Sequence, residues 1–279
     1  VSTKWRNARR LRRQIGARAI RPPMNAPTKY WNLYRREQFP PFDGSRPSGA
    51  PEIAFHDGRE LRGLPPNQVA FDAAQIAEIR HGYWANIAYM DTQLGKVLDA
   101  LDRSGVAERT IVIFIADHGY HIGEHTLWGK TSNFEHDAGV PFFIGAPGSL
   151  YANGRSTRCF AELIDLFPTL VDLCRLPKPG PLDGVSLVPS LIQPERLTKN
   201  AAFTQHPRPA YYDREPDKQP KVMGVSVRTP RVRYTEWRDW KTGETVAREL
   251  YDDGQEPAEV QNRIDDPKLV REQRAAEAL

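Results

Sequence analysis

The stretch that decides the fold is "IVIFIADHGYHIGEHTLWGK", residues 111–130. It begins as an apolar run and then changes abruptly into Asp, His, Gly, Glu and Lys. A continuous run of β-branched and aromatic residues is typical of a strand covered on both faces of a parallel sheet. "VPFFIGAPG" at 140–148 predicts a second strand. We therefore expect polar side chains at the carboxyl end of a buried strand, where open α/β sheets bind their ligands.

Amphipathic helices are predicted before and after these two strands in the sequence. Apolar residues recur every three or four positions over about 73–103. Asp72 and Gln75 resemble a capping box at the start of this helix, and Gly105 lies where a C-cap glycine is common. A shorter helix is predicted over 161–176. The order helix, strand, loop, strand, helix is an α/β pattern.

The C-terminal part of the chain has a different pattern of short alternating segments with turns between them. We expect strands in "AAFTQH", "KVMGVSVRT", "RVRYTEW" and "ARELYDD", with a hairpin around Pro230 and a turn over 239–246. A charged helix is predicted near 266–278. The expected organisation is an α/β domain over 23–195, followed by a small antiparallel α+β subdomain over 196–279.

Charge is unevenly distributed along the 279 residues, whose formal net charge is +4. Residues 1–23 carry eight Lys and Arg residues and no acidic residue, so the rest of the chain is mildly acidic. We interpret residues 1–22 as a basic leader that is disordered or artefactual. A targeting or nucleic-acid-binding arm is the alternative. We expect no nucleic-acid partner, and no membrane span because no window approaches about 18 consecutive apolar residues.

The two cysteines, Cys159 and Cys174, are too few for a disulfide framework. We expect free buried thiols, with a single disulfide as the alternative. The cysteines therefore do not decide the redox compartment.

The strand tip carries groups that suit a divalent cation and an anion. Asp117 and His118 follow the first strand directly, and carboxylate and imidazole groups are both metal ligands. Gly119 and Gly123 let the backbone turn away from this site at little steric cost. Lys130 lies further along the loop, from where its ammonium group can neutralise an anionic substrate over the metal.

A zinc site is the alternative for the same region. Four of the seven histidines lie between residues 118 and 136. His118, His121 and His125 have a spacing that suits a helix that binds zinc through three ligands. The glycines in this segment favour a loop, and no His-Glu-x-x-His motif is present.

The whole stretch "ADHGYHIGEHTLWGKTSNFEHDAGVPFFIGAPG", residues 116–148, resembles the second signature region of the sulfatases, in the alkaline-phosphatase-like superfamily. The likeness includes Asp-His-Gly after a strand, Gly-Glu-His, Trp-Gly-Lys, Phe-Glu, and Val-Pro before the next strand. It is similar to the iduronate-2-sulfatase-like branch in particular. Further similar segments are "APTKYWNLY" (26–34), "GYWANIAYMDTQLGKVLDALD" (82–102), "LIDLFPTLVDL" (163–173), "TQHPRP" (204–209) and "KVMGVSVRTPRVRYTEW" (221–237).

The resemblance implies both a fold and a chemistry. The fold would be part of the alkaline-phosphatase-like mixed sheet, sandwiched by helices. The activity would be the hydrolysis of sulfate esters on sulfated sugars such as glycosaminoglycans. Asp117 and His118 would be ligands of one calcium ion, which polarises the ester. Lys130 would be a substrate-binding and catalytic residue that contacts the sulfate. By resemblance, such enzymes are periplasmic, secreted or lysosomal. No signal peptide is recognisable here, so the location stays open.

The chain also departs from the family pattern. The family nucleophile is a formylglycine made in a Cys/Ser-x-Pro-x-Arg motif, and none is present; Ser45 in "SRPSG" comes nearest, but Gly49 replaces the Arg. Arg21 stands where a Lys-Pro-His-x-Pro segment would place a substrate-binding His. We therefore expect a truncated, inactive C-terminal portion of a sulfatase, whose partner is the missing N-terminal half of the domain.

Two other functions stay open at this point. One is a phosphodiesterase or phosphatase of the same superfamily, which the Trp-Gly-Lys lysine and the C-terminal matches argue against. The other is a non-catalytic binder of sulfated polysaccharide.

Overall fold

The structure is a computed structural model that describes residues 24–39, 44–62, 70–254 and 259–279. Its α-helices are α1 (Thr28–Trp31), α2 (Arg59–Arg62), α3 (Ala73–Arg103), α4 (Glu135–Ala138), α5 (Leu166–Leu173), α6 (Val188–Ile192) and α7 (Val270–Glu277). Its strands are β1 (Val112–Ile115), β2 (His121–Ile122), β3 (Trp128–Gly129), β4 (Phe142–Gly145), β5 (Ala202–Arg208), β6 (Val222–Arg228), β7 (Val232–Asp239) and β8 (Thr245–Asp252).

The chain divides into two compact units. The first contains the described residues up to Phe39 together with 72–100, and the second contains the described parts of 40–71 and 101–279. The sequence-based boundary at residue 196 stays a prediction, and the basic leader lies outside the described residues. Within the described ranges, no helix is long and apolar enough to cross a membrane.

Helix α3 dominates the first unit and has the bounds that the sequence predicts. The capping box is confirmed, because Gln75 N donates to Asp72 Oδ1 (2.8 Å) and Asp72 N donates to Gln75 Oε1 (3.0 Å). Helix α1 packs on α3 through Trp31 and His81, whose rings stack at 4.2 Å. Gly105 has a φ of +67°, the left-handed conformation of a C-cap glycine.

Strands β1 and β4 pair antiparallel, with Ile113 opposite Ile144. The sequence predicts parallel strands covered on both faces, and for this pair that is wrong. Ala116 N donates to Pro141 O (3.2 Å), so β4 begins beside the end of β1. The connection holds a short hairpin with a 3₁₀ turn and a single α-helical turn, and no crossover helix of the kind that usually joins a parallel pair. The side chains are also partly exposed, Phe143 by 64%.

The C-terminal strands form one antiparallel sheet in the order β5-β6-β7-β8. The hairpin around Pro230 is confirmed, closed by Thr229 N donating to Val232 O (2.8 Å). The turn between β7 and β8 and the C-terminal helix α7 also lie where the sequence predicts them. The mixed α/β class with an antiparallel C-terminal sheet is therefore as expected. Both cysteines are free thiols, as predicted, but they are half-buried and not buried.

The two faces of this sheet are covered by different parts of the chain. Residues directly opposite each other on neighbouring strands share a face. One face, which we call the α7 face, packs against Leu269 and Ala276 and carries Val227, Val232, Tyr234 and Leu250. The other, which we call the loop face, carries His206, Arg208, Ser226, Trp237, Glu249 and Tyr251. Trp237 and Tyr251 on the loop face form one core with Ala54, Phe55, Leu127 and Phe134.

Arg208 joins the loop face to two separate stretches of backbone. Its guanidinium group donates to the carbonyl oxygens of Ile53 (2.8 Å), Ala54 (2.6 Å) and Thr131 (3.0 Å). The same group lies 4.7 Å from the ring centroid of Trp237. Burial lowers the pKa of Arg208 to about 10, which leaves it charged at neutral pH. A buried, multiply hydrogen-bonded charge thus fixes the loop containing Thr131 against the sheet.

We predict that Arg208→Met lowers the free energy of unfolding by about 3 kcal/mol or more, because three covered carbonyl oxygens lose their donors. Urea unfolding followed by circular dichroism measures this. Arg238→Met is the matched control, since this arginine of the same sheet is 57% exposed. Its effect should stay within about 0.5 kcal/mol. Equal losses in the two variants would contradict the role given to Arg208.

Candidate functional site

Asp117 and His118 lie together directly after β1, as the sequence predicts, and both line an open cavity of about 1590 Å³. His118 Nε2 lies 3.8 Å from Asp117 Oδ1. His118 Nδ1 lies 2.7 Å from Gly119 O, and because a carbonyl only accepts, Nδ1 must carry the proton. The lone pair is then on Nε2, a buried atom with no hydrogen-bond partner. An imidazole held in this tautomer, with its free nitrogen beside a carboxylate, fits a divalent cation.

Gly119 fixes where these two side chains stand. Its N–H donates to Asp137 O (2.8 Å). A Cβ at Gly119 would lie 1.8 Å from His136 O, a backbone atom that cannot rotate away. The structure therefore gives glycine a different reason from the expected turn, because Gly119 has no left-handed φ and is instead needed for the close approach of the His136 backbone. Gly123 allows the backbone to turn, because its φ of +117° is a conformation that only glycine adopts at little steric cost.

A buried polar network supports the loop from inside. His121 Nδ1 lies 2.9 Å from Asp137 Oδ1, and Asp137 Oδ2 accepts from Ser132 N (2.7 Å) and Ser132 Oγ (2.6 Å). Burial opposes ionisation of Asp137, but the bonds from His121 and Ser132 together lower its pKa. His121 and Ser132 have no exposed surface, so this Ser, Asp and His grouping cannot reach a substrate. Its role is structural, and sequence reasoning did not single out Asp137.

The zinc alternative is wrong for this loop. The chain forms the hairpin β2–β3 here, not a helix, so His121 and His125 face the core while His118 faces the cavity. His125 packs on Phe134 and His136, and burial lowers its pKa to about 4. Throughout the described part of the chain, no group of three or more His, Cys, Asp or Glu residues is placed to hold a metal.

Lys130 lies in the most strained part of the loop. Its neighbours Gly129 and Thr131 have φ values of +96° and +91°, and the second is unusual for a residue with a β-branched side chain. Lys130 Nζ donates to both carboxylate oxygens of Glu60, at 2.8 and 2.7 Å. It is not among the residues that line the cavity with Asp117. The structure thus brings Asp117 and His118 together and places Lys130 in an ion pair that the sequence does not predict.

His206 is a further residue of the cavity wall. Burial, followed by the charge of Arg208, lowers the pKa of His206 to about 4, so it is neutral at pH 7. It lies two positions from Arg208 on β5, and alternation places both on the loop face. The segment "TQHPRP" is the sequence signal that could have identified this pair.

We predict that Gly119→Ala destabilises the protein by more than about 3 kcal/mol, above the usual range for overpacking, because a backbone carbonyl must move. Thermal and urea unfolding measure the loss. Gly95→Ala is the control, because nothing lies within 4 Å of the added Cβ and the residue is helical. It should be neutral or stabilising by up to about 1 kcal/mol. An equally mild effect at Gly119 would show that the backbone around His136 yields easily and does not fix the position of Gly119.

The chain is similar to known proteins over most of its length. The family model "Sulfatase" matches residues 22–176, and "N-sulphoglucosamine sulphohydrolase, C-terminal" matches residues 123–277. Identity to iduronate 2-sulfatase is 30% over 282 residues for Mus musculus (81% of this chain, 51% of the relative) and 28% over 310 residues for Homo sapiens (88% and 56%). The solved phosphonate monoester hydrolase of Agrobacterium radiobacter has a TM-score of 0.74 at 25% identity, covering 92% of this chain and 53% of that one.

The chain spans about half the length of the curated relatives it matches. Within that span, the first family match includes β1, the Asp117–His118 tip and Lys130, and the second includes the whole C-terminal sheet. The matches therefore cover both the strand tip and the sheet that supports its loop. The chain belongs to the sulfatase family.

Proposed function

We propose that this chain supplies part of the active site of a sulfuric ester hydrolase that acts on sulfated sugars. The observation that carries the proposal is the Asp117 carboxylate beside His118 Nε2, a buried atom without a hydrogen-bond partner, in the lining of a large cavity. Family membership supports the reaction class. The name of the iduronate 2-sulfatases supports a sulfated sugar as substrate class, and an exported or lysosomal location follows from the same resemblance.

Asp117 and His118 would hold one calcium ion. When bound, the metal supplies Lewis-acid polarisation of the sulfate ester. Asp117 contributes a carboxylate oxygen and His118 contributes its Nε2 atom. The hydrogen bond from His118 Nδ1 to Gly119 O already sets the tautomer of the imidazole ring. Calcium usually takes six to eight ligands, so about four or more must come from other groups or from water.

Lys130 would bind the sulfate group. An ammonium group close to the ester stabilises negative charge that develops on the sulfate oxygens. Because Lys130 is held by Glu60 in this structure, reaching the sulfate requires its side chain to exchange partners. The Lys130 side chain keeps 25% of its surface exposed, so it is not sealed off from solvent.

The nucleophile would come from elsewhere. The 279 residues contain no Cys/Ser-x-Pro-x-Arg motif. We therefore expect negligible turnover by this chain alone, and activity when a polypeptide carrying that motif completes the domain. The cavity wall around Phe143 and Phe203 is a docking surface for such a polypeptide. These two side chains line the cavity and are 64% and 43% exposed.

A phosphate- or phosphonate-ester hydrolase is the second candidate. The similarity in fold to a phosphonate monoester hydrolase favours it. The test is to complete the domain with the motif-bearing half of a related sulfatase and compare nitrophenyl sulfate with nitrophenyl phenylphosphonate. A higher kcat/KM for the sulfate ester supports sulfatase activity, and a preference for the phosphonate supports the second candidate.

We predict that calcium binds the chain weakly, with Kd on the order of 10⁻³ M, and that Asp117→Asn and His118→Gln each weaken binding about tenfold or more. Isothermal titration calorimetry with calcium chloride measures this without any substrate. Asp99→Asn is the control, because this carboxylate is exposed on α3. If all four proteins bind calcium equally, Asp117 and His118 are not its ligands.

A further inference from the structure

The ion pair between Lys130 and Glu60 joins residues 70 positions apart in the chain. Both carboxylate oxygens lie within 2.8 Å of Nζ, so Glu60 turns both of its acceptors toward the ammonium group. The pair is largely covered, with 25% of the Lys130 side chain and 17% of the Glu60 side chain exposed. A covered, doubly hydrogen-bonded pair is stronger than an ordinary surface salt bridge.

Glu60 is held in this position by its own surroundings. It lies in the single turn α2, whose first residue, Arg59, is anchored by Asp57 and by Glu215, the latter at 2.6 Å. Gly129 lets the carboxylate lie close to the β3 backbone, because a Cβ there would be 3.3 Å from Glu60 Oε2. The contacts of Arg59 hold the segment that carries Glu60. The Glu60 carboxylate therefore has a fixed position against Lys130.

A carboxylate resembles one edge of a sulfate group. Both offer an ammonium group two oxygen acceptors and negative charge. We propose that Glu60 is an internal anion that competes with the sulfate ester for Lys130 and thereby sets the affinity of the site for anions. This inference rests on the proposed function, in which Lys130 binds sulfate. Glu60 is then an affinity-determining residue that must release Lys130 before a substrate is held.

Competition, rather than support, follows from the placement and charge of Glu60. Both of its oxygens lie at hydrogen-bond distance from Nζ, so a sulfate oxygen that approaches Nζ from the same side must displace them. Its charge also repels an incoming anion at short range.

The test measures binding of inorganic sulfate to the full chain at constant ionic strength, by isothermal titration calorimetry. Glu60→Gln keeps the shape of the side chain and removes its charge. We expect it to bind sulfate about tenfold more tightly than the unmodified chain, the order expected for release of a covered, charge-assisted pair. Lys130→Met should remove this gain in the double variant. Glu52→Gln is the control for a simple change in net charge. The Glu52 side chain is 82% exposed and pairs with Arg46.

The outcomes separate this inference from the proposed function. If Lys130→Met weakens sulfate binding but Glu60→Gln leaves it unchanged or weaker, Glu60 does not compete, and the role of Lys130 stands. A gain of equal size in Glu52→Gln also overturns the inference. If sulfate binds none of the variants, or binds regardless of Lys130, both the inference and the sulfate-binding role of Lys130 fail. Circular dichroism of each variant establishes that it is folded.

Discussion

The contact between Arg208 and three backbone carbonyl groups is the constraint on which the second unit depends. One guanidinium group binds the chain at Ile53, Ala54 and Thr131, and its face covers Trp237. Carbonyl groups buried under a core need donors, and a planar cation with five N–H groups can serve several at once. The sheet therefore acts as a platform, and the loop that follows β1 is shaped by its packing on that platform.

The loop meets two physical demands at once. Its inner side buries polar groups, and the network of His121, Asp137 and Ser132 satisfies both Asp137 oxygens and His121 Nδ1, while His121 Nε2 is buried without a hydrogen-bond partner. Its outer side presents polar groups to a cavity, namely the side chains of Asp117 and His118. Backbone strain accompanies this division, since Thr131 is in the left-handed region next to Lys130. The four histidines that look equivalent in the sequence thus divide into the cavity residue His118, the buried residues His121 and His125, and the exposed residue His136.

Much of this arrangement could be predicted from local sequence. The α3 boundaries follow from periodicity and a capping box, and the adjacency of Asp117 and His118 follows from their position after a strand. The direction of β4 could not be predicted, because it depends on how the intervening loop returns to the end of β1. The partners of Arg208 are backbone carbonyls, which every residue has, so no sequence signal marks them. The Glu60–Lys130 pair depends on a fold-level approach of distant segments, and only the structure provides it.

The central claim is that β1 delivers Asp117 and His118 to one cation site, with the His118 tautomer set by Gly119 O. A crystal structure of the chain grown with calcium tests it most directly. The account predicts an anomalous-scattering peak within bonding distance of an Asp117 carboxylate oxygen and His118 Nε2, with the His118 Nδ1 to Gly119 O hydrogen bond kept. A calcium ion bound elsewhere, or a flipped His118 ring whose Nε2 donates to a protein carbonyl, would contradict it.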